Sequence, residues 1–216
     1  MLARDHAVNS NSPSRLLVGH RGRMSNMKRI ILLAIFFSLS FITVLAQQPR
    51  AHSESGDWIN IAPNNAGFTV LMPAKPSEKV EPMEGHPGVE NHTLTLETKL
   101  AGYVLSYIEF PDEVTDSDQI KTMLDSGREG GITASGGQLI SEKEIKLNGY
   151  FGREWSLKIP GGFLATARAY WVKRRLYQTV FIMVPGASDT PEVTKLRQEA
   201  ASKFLDSFTL SGDTGK

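Results

Sequence analysis

A chain of 216 residues with 40% hydrophobic and 22% charged residues has the composition of an ordinary globular protein, which excludes disordered, collagenous and multi-span membrane classes and makes one domain the default. The formal net charge of +1 is uneven: removing residues 1–46, which hold six of the 24 Lys and Arg and one of the 23 Asp and Glu, leaves −4. A mildly acidic domain lacks the field that draws nucleic acid or anionic lipid without specificity, so nucleic acid is not expected as a partner.

Residues 1–26 carry Arg4, Arg15, Arg21 and Arg23 and no apolar periodicity. They read as a non-native or disordered extension, with translation beginning at Met27. Lys28 and Arg29 then precede a sixteen-residue apolar run, 30–45, and Val44-Leu45-Ala46 supplies small residues at a cut after Ala46. Residues 27–46 therefore read as a secretory signal peptide, and the protein as exported, periplasmic or extracellular. The alternative is a retained signal anchor and a membrane-associated protein, since a spanning helix needs only ~20 residues. The chain has no Cys, so neither a lipid-modified cysteine nor a disulfide is possible; the apolar core must supply the stability.

Residues 47–57 are polar and read as a flexible tether. A single domain is expected over 58–210, with 211–216 a disordered tail. Two short strands, 58–61 and 67–71, flank the turn Pro63-Asn64-Asn65. Residues 75–89, with three prolines, read as an exposed loop. Strands over 91–99 and 103–110 follow, joined through Leu100-Ala101-Gly102.

Ile120, Met123, Leu124 and Gly127 fall at helical spacing behind an N-cap at Asp116 or Ser117. Gly127, Gly130 and Gly131 imply a frayed end or a close backbone contact, and Gly136-Gly137 ends the helix. From Leu139 the period becomes two. Asn148-Gly149 marks a tight hairpin, with Phe151, Trp155, Leu157 and Ile159 on one face. A second hairpin pairs 163–172 with 176–184 across Lys173-Arg174-Arg175, which reads as an exposed turn. Thr190-Pro191 opens a last helix, and Val193, Leu196, Ala200, Phe204 and Phe208 form its apolar stripe. The pattern predicts an α+β fold, an antiparallel sheet flanked by two main helices.

Chemistry-bearing groups are sparse. His86 and His92 with Glu84 and Glu90 approach a metal set, but a Pro/Gly loop offers no rigid frame for three or four ligands, so they read as solvated loop residues. Asp112, Glu113, Asp116 and Asp118 lack the order of a calcium loop, and helix capping accounts for them more simply, with Ca²⁺ an alternative. Lys173-Arg174-Arg175 could grip a carboxylate or phosphate. Glu109, Arg153, Glu154 and Arg168 lie on expected strands, where cross-strand ion pairs or a polar pocket would account for them. Ser135 sits outside any nucleophile elbow, and neither a phosphate loop nor a dinucleotide fingerprint occurs. No catalytic, cofactor or metal residue is assigned, and the ligand-binding residues are unknown. Asn91-His92-Thr93 is a glycosylation sequon.

Trp58, Gly67-Phe68-x-Val70-x-x-Pro73-x-x-Pro76, Gly149-Tyr150-x-Gly152-Arg153-Glu154, Arg175-Leu176-Tyr177 and Phe204-Leu205-Asp206-Ser207-Phe208, in this order of elements, resemble secreted bacterial domains of uncharacterised role with the PsbP-like fold. The resemblance implies an α/β/α sandwich and a non-catalytic accessory or binding role at the cell envelope. The implied partner is another envelope protein or a small ligand, with no cofactor and no catalytic residue to carry over. The rival expectation is a hydrolase using Asp and Glu carboxylates.

Overall fold

A computed structural model describes residues 56–83, 86–186 and 190–212. The expected extension 1–26, signal segment 27–46 and most of the tether, together with residues 213–216 of the tail, lie outside the described residues. Among the described residues no helix is long and apolar enough to cross a membrane.

Among the described residues ten strands and two helices follow in order: β1 (Ile59–Ile61), β2 (Phe68–Met72), β3 (Ser77–Pro82), β4 (Glu90–Glu97), β5 (Ala101–Glu109), α1 (Ser117–Ser135), β6 (Gln138–Leu147), β7 (Tyr150–Ile159), β8 (Phe163–Val172), β9 (Arg175–Met183), α2 (Pro191–Asp206) and β10 (Thr209–Leu210). Seven form one antiparallel sheet in the order β3-β4-β5-β9-β8-β7-β6, and β1-β2-β10 form a small second sheet. Side chains alternate across a strand, and in β5 this sends Val104 and Ile108 to one core and Tyr103, Leu105 and Tyr107 to another.

The first core lies between the large sheet and α1, where Ile120, Met123 and Leu124 meet Trp155, Leu157 and Ile159. The second lies on the opposite face, where Phe204 of α2 and Phe68, Val70 and Met72 of the small sheet cover Tyr103, Leu105 and Phe181. The layers are thus helix, sheet, and helix with small sheet. Burial on both faces explains why β5 is apolar almost throughout.

Local signals operate as their chemistry dictates. Asn148 and Gly149 both take positive φ, 50° and 88°, the backbone of a two-residue hairpin turn matched to strand twist. Asp116 caps α1, its Oδ1 accepting from the Gln119 amide at 2.7 Å, and Thr190 caps α2 through the Val193 amide. Gly127 and Gly131 are buried on α1, and the helix runs on to Ser135.

Four expectations about these elements need correction. Residues 77–82 are a strand, since β3 is an edge that pairs only with β4; Pro76 and Pro82 then sit at its ends, where a missing donor breaks no ladder. The turn after β4 is Thr98-Lys99-Leu100, and Ala101 and Gly102 already pair with β9. Arg175 belongs to β9, opposite Val172 and Glu109, which leaves Lys173 and Arg174 as the turn. On α2, Leu196 is 43% exposed while Arg197 is buried with Ala200, Phe204 and Leu205. The inward stripe runs through half-buried Val193 and buried Arg197, Ala200 and Phe204, so Arg197, 3% exposed, stands where an apolar residue was expected. Beyond β10 the Ser211 amide donates to the Gly67 carbonyl at 2.9 Å.

Candidate functional site

Strand register builds the site. His92, Tyr107, Tyr177 and Tyr170 are successive cross-strand neighbours on β4, β5, β9 and β8, so four rings lie in one row on the face that carries the small sheet. Cross-strand aromatic pairs of this kind strengthen a sheet as well as shape its surface. His92 stacks on Tyr107 with centroids 4.5 Å apart and planes 12° apart. Its Nδ1 lies 3.6 Å from Glu78 and its Nε2 3.7 Å from Glu90. Phe68 meets Tyr107 and Tyr177 edge-on, and the Tyr177 hydroxyl donates to the Ala66 carbonyl at 2.8 Å, which pins the turn 63–66 against the sheet. Burial and the nearby Glu78 carboxylate push the Tyr107 phenol up, so it remains a neutral hydroxyl.

Next to this row, Arg175 donates from Nε and Nη2 to Oε2 of Glu109 at 2.8 and 2.6 Å, and Arg174 pairs with the other oxygen, Oε1. Burial opposes ionisation of Glu109, yet the two guanidiniums hold its carboxyl below the usual carboxylate range. A depressed folded-state value means that this pairing stabilises fully above the unfolded-chain value of about 4.3 and fades as the pH falls through the lower folded value. Glu109→Gln is therefore expected to narrow the difference between the urea midpoints at pH 7 and pH 3; an unchanged difference would show that the triad contributes nothing. The site is partly exposed, so the effect is small.

Between these two features opens a groove of about 590 Å³, lined by Asn64, Asn65, Pro87, Gly88, Val89, Glu90, His92, Tyr107, Glu109, Phe110, Pro111 and Arg174. A smaller cavity of about 220 Å³ lies on the other side of Arg174, against Gly67, Arg175, Tyr177 and Ser211. The Lys173-Arg174 turn holds the groove wall in place: the Phe110 amide donates to the Arg174 carbonyl and the Val114 amide to the Lys173 carbonyl.

The other residues singled out by the sequence are dispersed. His92 lies on β4, not in a loop, because the strand begins at Glu90; His86 remains in the 83–89 turn, and Glu84 lies outside the described residues. Among the described residues no group of three or more acids and histidines is placed to hold a metal ion. Arg153 pairs with Asp125 of α1 at 2.5 Å. Glu154 bridges Lys143 and Arg168, and Arg168 also reaches Asp206. Burial opposes the Glu154 charge, but these donors hold its carboxyl low. Glu97, whose carboxyl burial pushes up, ends β4 at the far end of the strand from Glu90. The Ser135 hydroxyl donates to the Gly131 carbonyl within α1. Asn91 is buried, so its sequon presents no accessible amide. Sequence reasoning missed Tyr107, Phe110, Pro111 and the Asn64-Asn65 turn as one surface, since no local pattern brings those segments together.

No model of a known protein family matches the chain, and no curated protein matches it. Among solved structures, the solution structure of the cyanobacterial PsbP protein CyanoP from Synechocystis is similar at 11% identity, covering 76% of this chain and 99% of that one, with a TM-score of 0.50. PA94 from Pseudomonas aeruginosa is 13% identical over 69% and 96% of the two chains, with a TM-score of 0.37. LpqN from Mycobacterium tuberculosis, a protein involved in cell envelope biogenesis, is 12% identical over 76% and 90%, with a TM-score of 0.35. With its antiparallel sheet between two helical layers and the CyanoP likeness over nearly the whole of that protein, the chain has the PsbP-like α+β fold.

Proposed function

We propose that this protein is an exported, non-catalytic accessory or binding module of the cell envelope, and that the groove between His92 and Arg174 receives its partner. The carrying observation is the groove itself. It has the volume of a small-ligand site, and its walls are held before any ligand arrives, on one side by the Arg174–Glu109–Arg175 triad and on the other by the His92–Tyr107 stack. Preorganised walls favour binding because little side-chain freedom is lost on association. A hydrolase would need a carboxyl poised to give or take a proton, whereas Glu109 is held ionised by two guanidiniums. The apolar segment 30–45 behind Lys28 and Arg29 supports export.

The test is capture from an envelope fraction by the tagged chain and by its Arg174→Glu variant. Arg174 is half exposed in a turn, so the variant is expected to keep the fold. A partner retained by the parent and reduced at least tenfold with the variant supports the proposal. Equal recovery by both, or none by either, refutes it. N-terminal sequencing of the native protein tests export directly: a mature end at Gln47 is expected.

A further inference from the structure

We infer that the groove takes a neutral polyhydroxylated ligand, a short oligosaccharide or the end of a longer glycan. The inference rests on the binding-module reading above and names the ligand class for that same groove.

Charge is the first argument. In number the acids at the wall, Glu90 and Glu109, equal Arg174 and Arg175 behind it: both arginines pair with Glu109, and Glu90 lies 3.7 Å from Nε2 of His92. Glu109 and the two arginines already satisfy one another at hydrogen-bonding distance, so an anion would have to compete with an internal carboxylate, and a cation with two guanidiniums. A site selective for an ion presents an uncompensated charge of the opposite sign; this one is close to balanced.

Hydrogen-bonding chemistry is the second. Asn64, Asn65, Glu90, His92 and Arg174 are planar groups that together offer paired donors and paired acceptors. Neighbouring hydroxyls on a sugar ring both donate and accept, and they match such planar groups without needing net charge.

Surface character is the third. A pyranose ring has an apolar C–H face that packs on rings and aliphatic walls. His92, backed by Tyr107, is a fixed ring at the groove edge with a quarter of its side chain exposed. Pro87, Val89, Phe110 and Pro111 supply rigid apolar wall. At about 590 Å³ the groove falls within the range of small-ligand sites.

The experiment is a titration of the full native chain, ¹⁵N-labelled, with chitotetraose, maltotetraose and cellotetraose, and separately with sodium phosphate and a proline-rich decapeptide at matched ionic strength. At least one tetraose is expected to shift the amide signals of Asn65, Gly88 and His92 saturably, and binding is expected to weaken at least tenfold in both His92→Ala and Asn64→Ala. Asn64 is exposed in a turn, so that variant reports on the groove even where His92→Ala disturbs packing on Tyr107. No saturable shift with any tetraose overturns the inference, as does binding of phosphate or of the decapeptide in their place, or tetraose binding indifferent to both variants. If the tetraoses fail while Arg174→Glu still abolishes capture from the envelope fraction, the ligand class is wrong and the binding-module reading stands; if capture fails too, both fall.

Discussion

Phe68→Ala is expected to remove about 3–5 kcal/mol of stability, the range for truncating a buried aromatic. Phe68 is 1% exposed and its ring meets Tyr107, Tyr177 and Phe208, so it joins the small sheet, the large sheet and the segment after α2 in one contact set. A domain of this kind has only about 5–15 kcal/mol in total, and the loss is therefore a large fraction of it. Urea denaturation followed by tryptophan fluorescence measures the effect as a fall in midpoint at constant slope. The consequence reaches the groove, because Phe68 backs the Tyr107 ring on which His92 rests. A loss below about 1.5 kcal/mol, less than burial of the side chain alone contributes, would mean that the small sheet is not part of the core.

Gly152→Val is expected to cost about 3 kcal/mol, at the upper end for overpacking, and to lower Tm by roughly 6–12 °C for a domain of this size. β-propensity argues the opposite, since valine suits a strand better than glycine. Geometry decides it. A Cβ at position 152 would stand 2.5 Å from Cδ1 of Tyr170 and 2.8 Å from the Ala169 carbonyl oxygen. The carbonyl belongs to the β7–β8 ladder, and the Tyr170 ring is stacked on Phe208 with planes 3° apart, so neither neighbour can yield cheaply. Calorimetry on the variant tests this; an unchanged or raised Tm would show that Tyr170 moves freely and that the aromatic row is loosely held.

These two sites show which parts of the molecule a reader of the sequence could reach. Asn148-Gly149, the Asp116 and Thr190 caps and the Pro191 start of α2 are local chemistry, because each is satisfied by backbone groups within about four residues. The alternation of Phe151, Trp155, Leu157 and Ile159 likewise carries its own period. By contrast, β3 looked like a loop because its prolines forbid a central strand, and only its place at the sheet edge makes them tolerable. Leu196 and Arg197 exchanged roles because both are long enough to cover a core with their aliphatic carbons, and hydropathy ranks them without knowing where the helix presses.

By itself the sequence determined the class of fold, an antiparallel sheet with two helices, and nearly every turn and cap, since those follow from short-range sterics and hydrogen bonding. It also carried the apolar run 30–45 and the absence of any cysteine. Only the tertiary structure decided that β5 lies between β4 and β9, which brings Glu109 to Arg175 across 66 positions and lays His92, Tyr107, Tyr177 and Tyr170 in one row. Pairing at that distance leaves no periodic trace in the chain, because strand order is chosen by burial of both faces at once. The groove is a product of that order, and its residues could be recognised only once the strands were side by side.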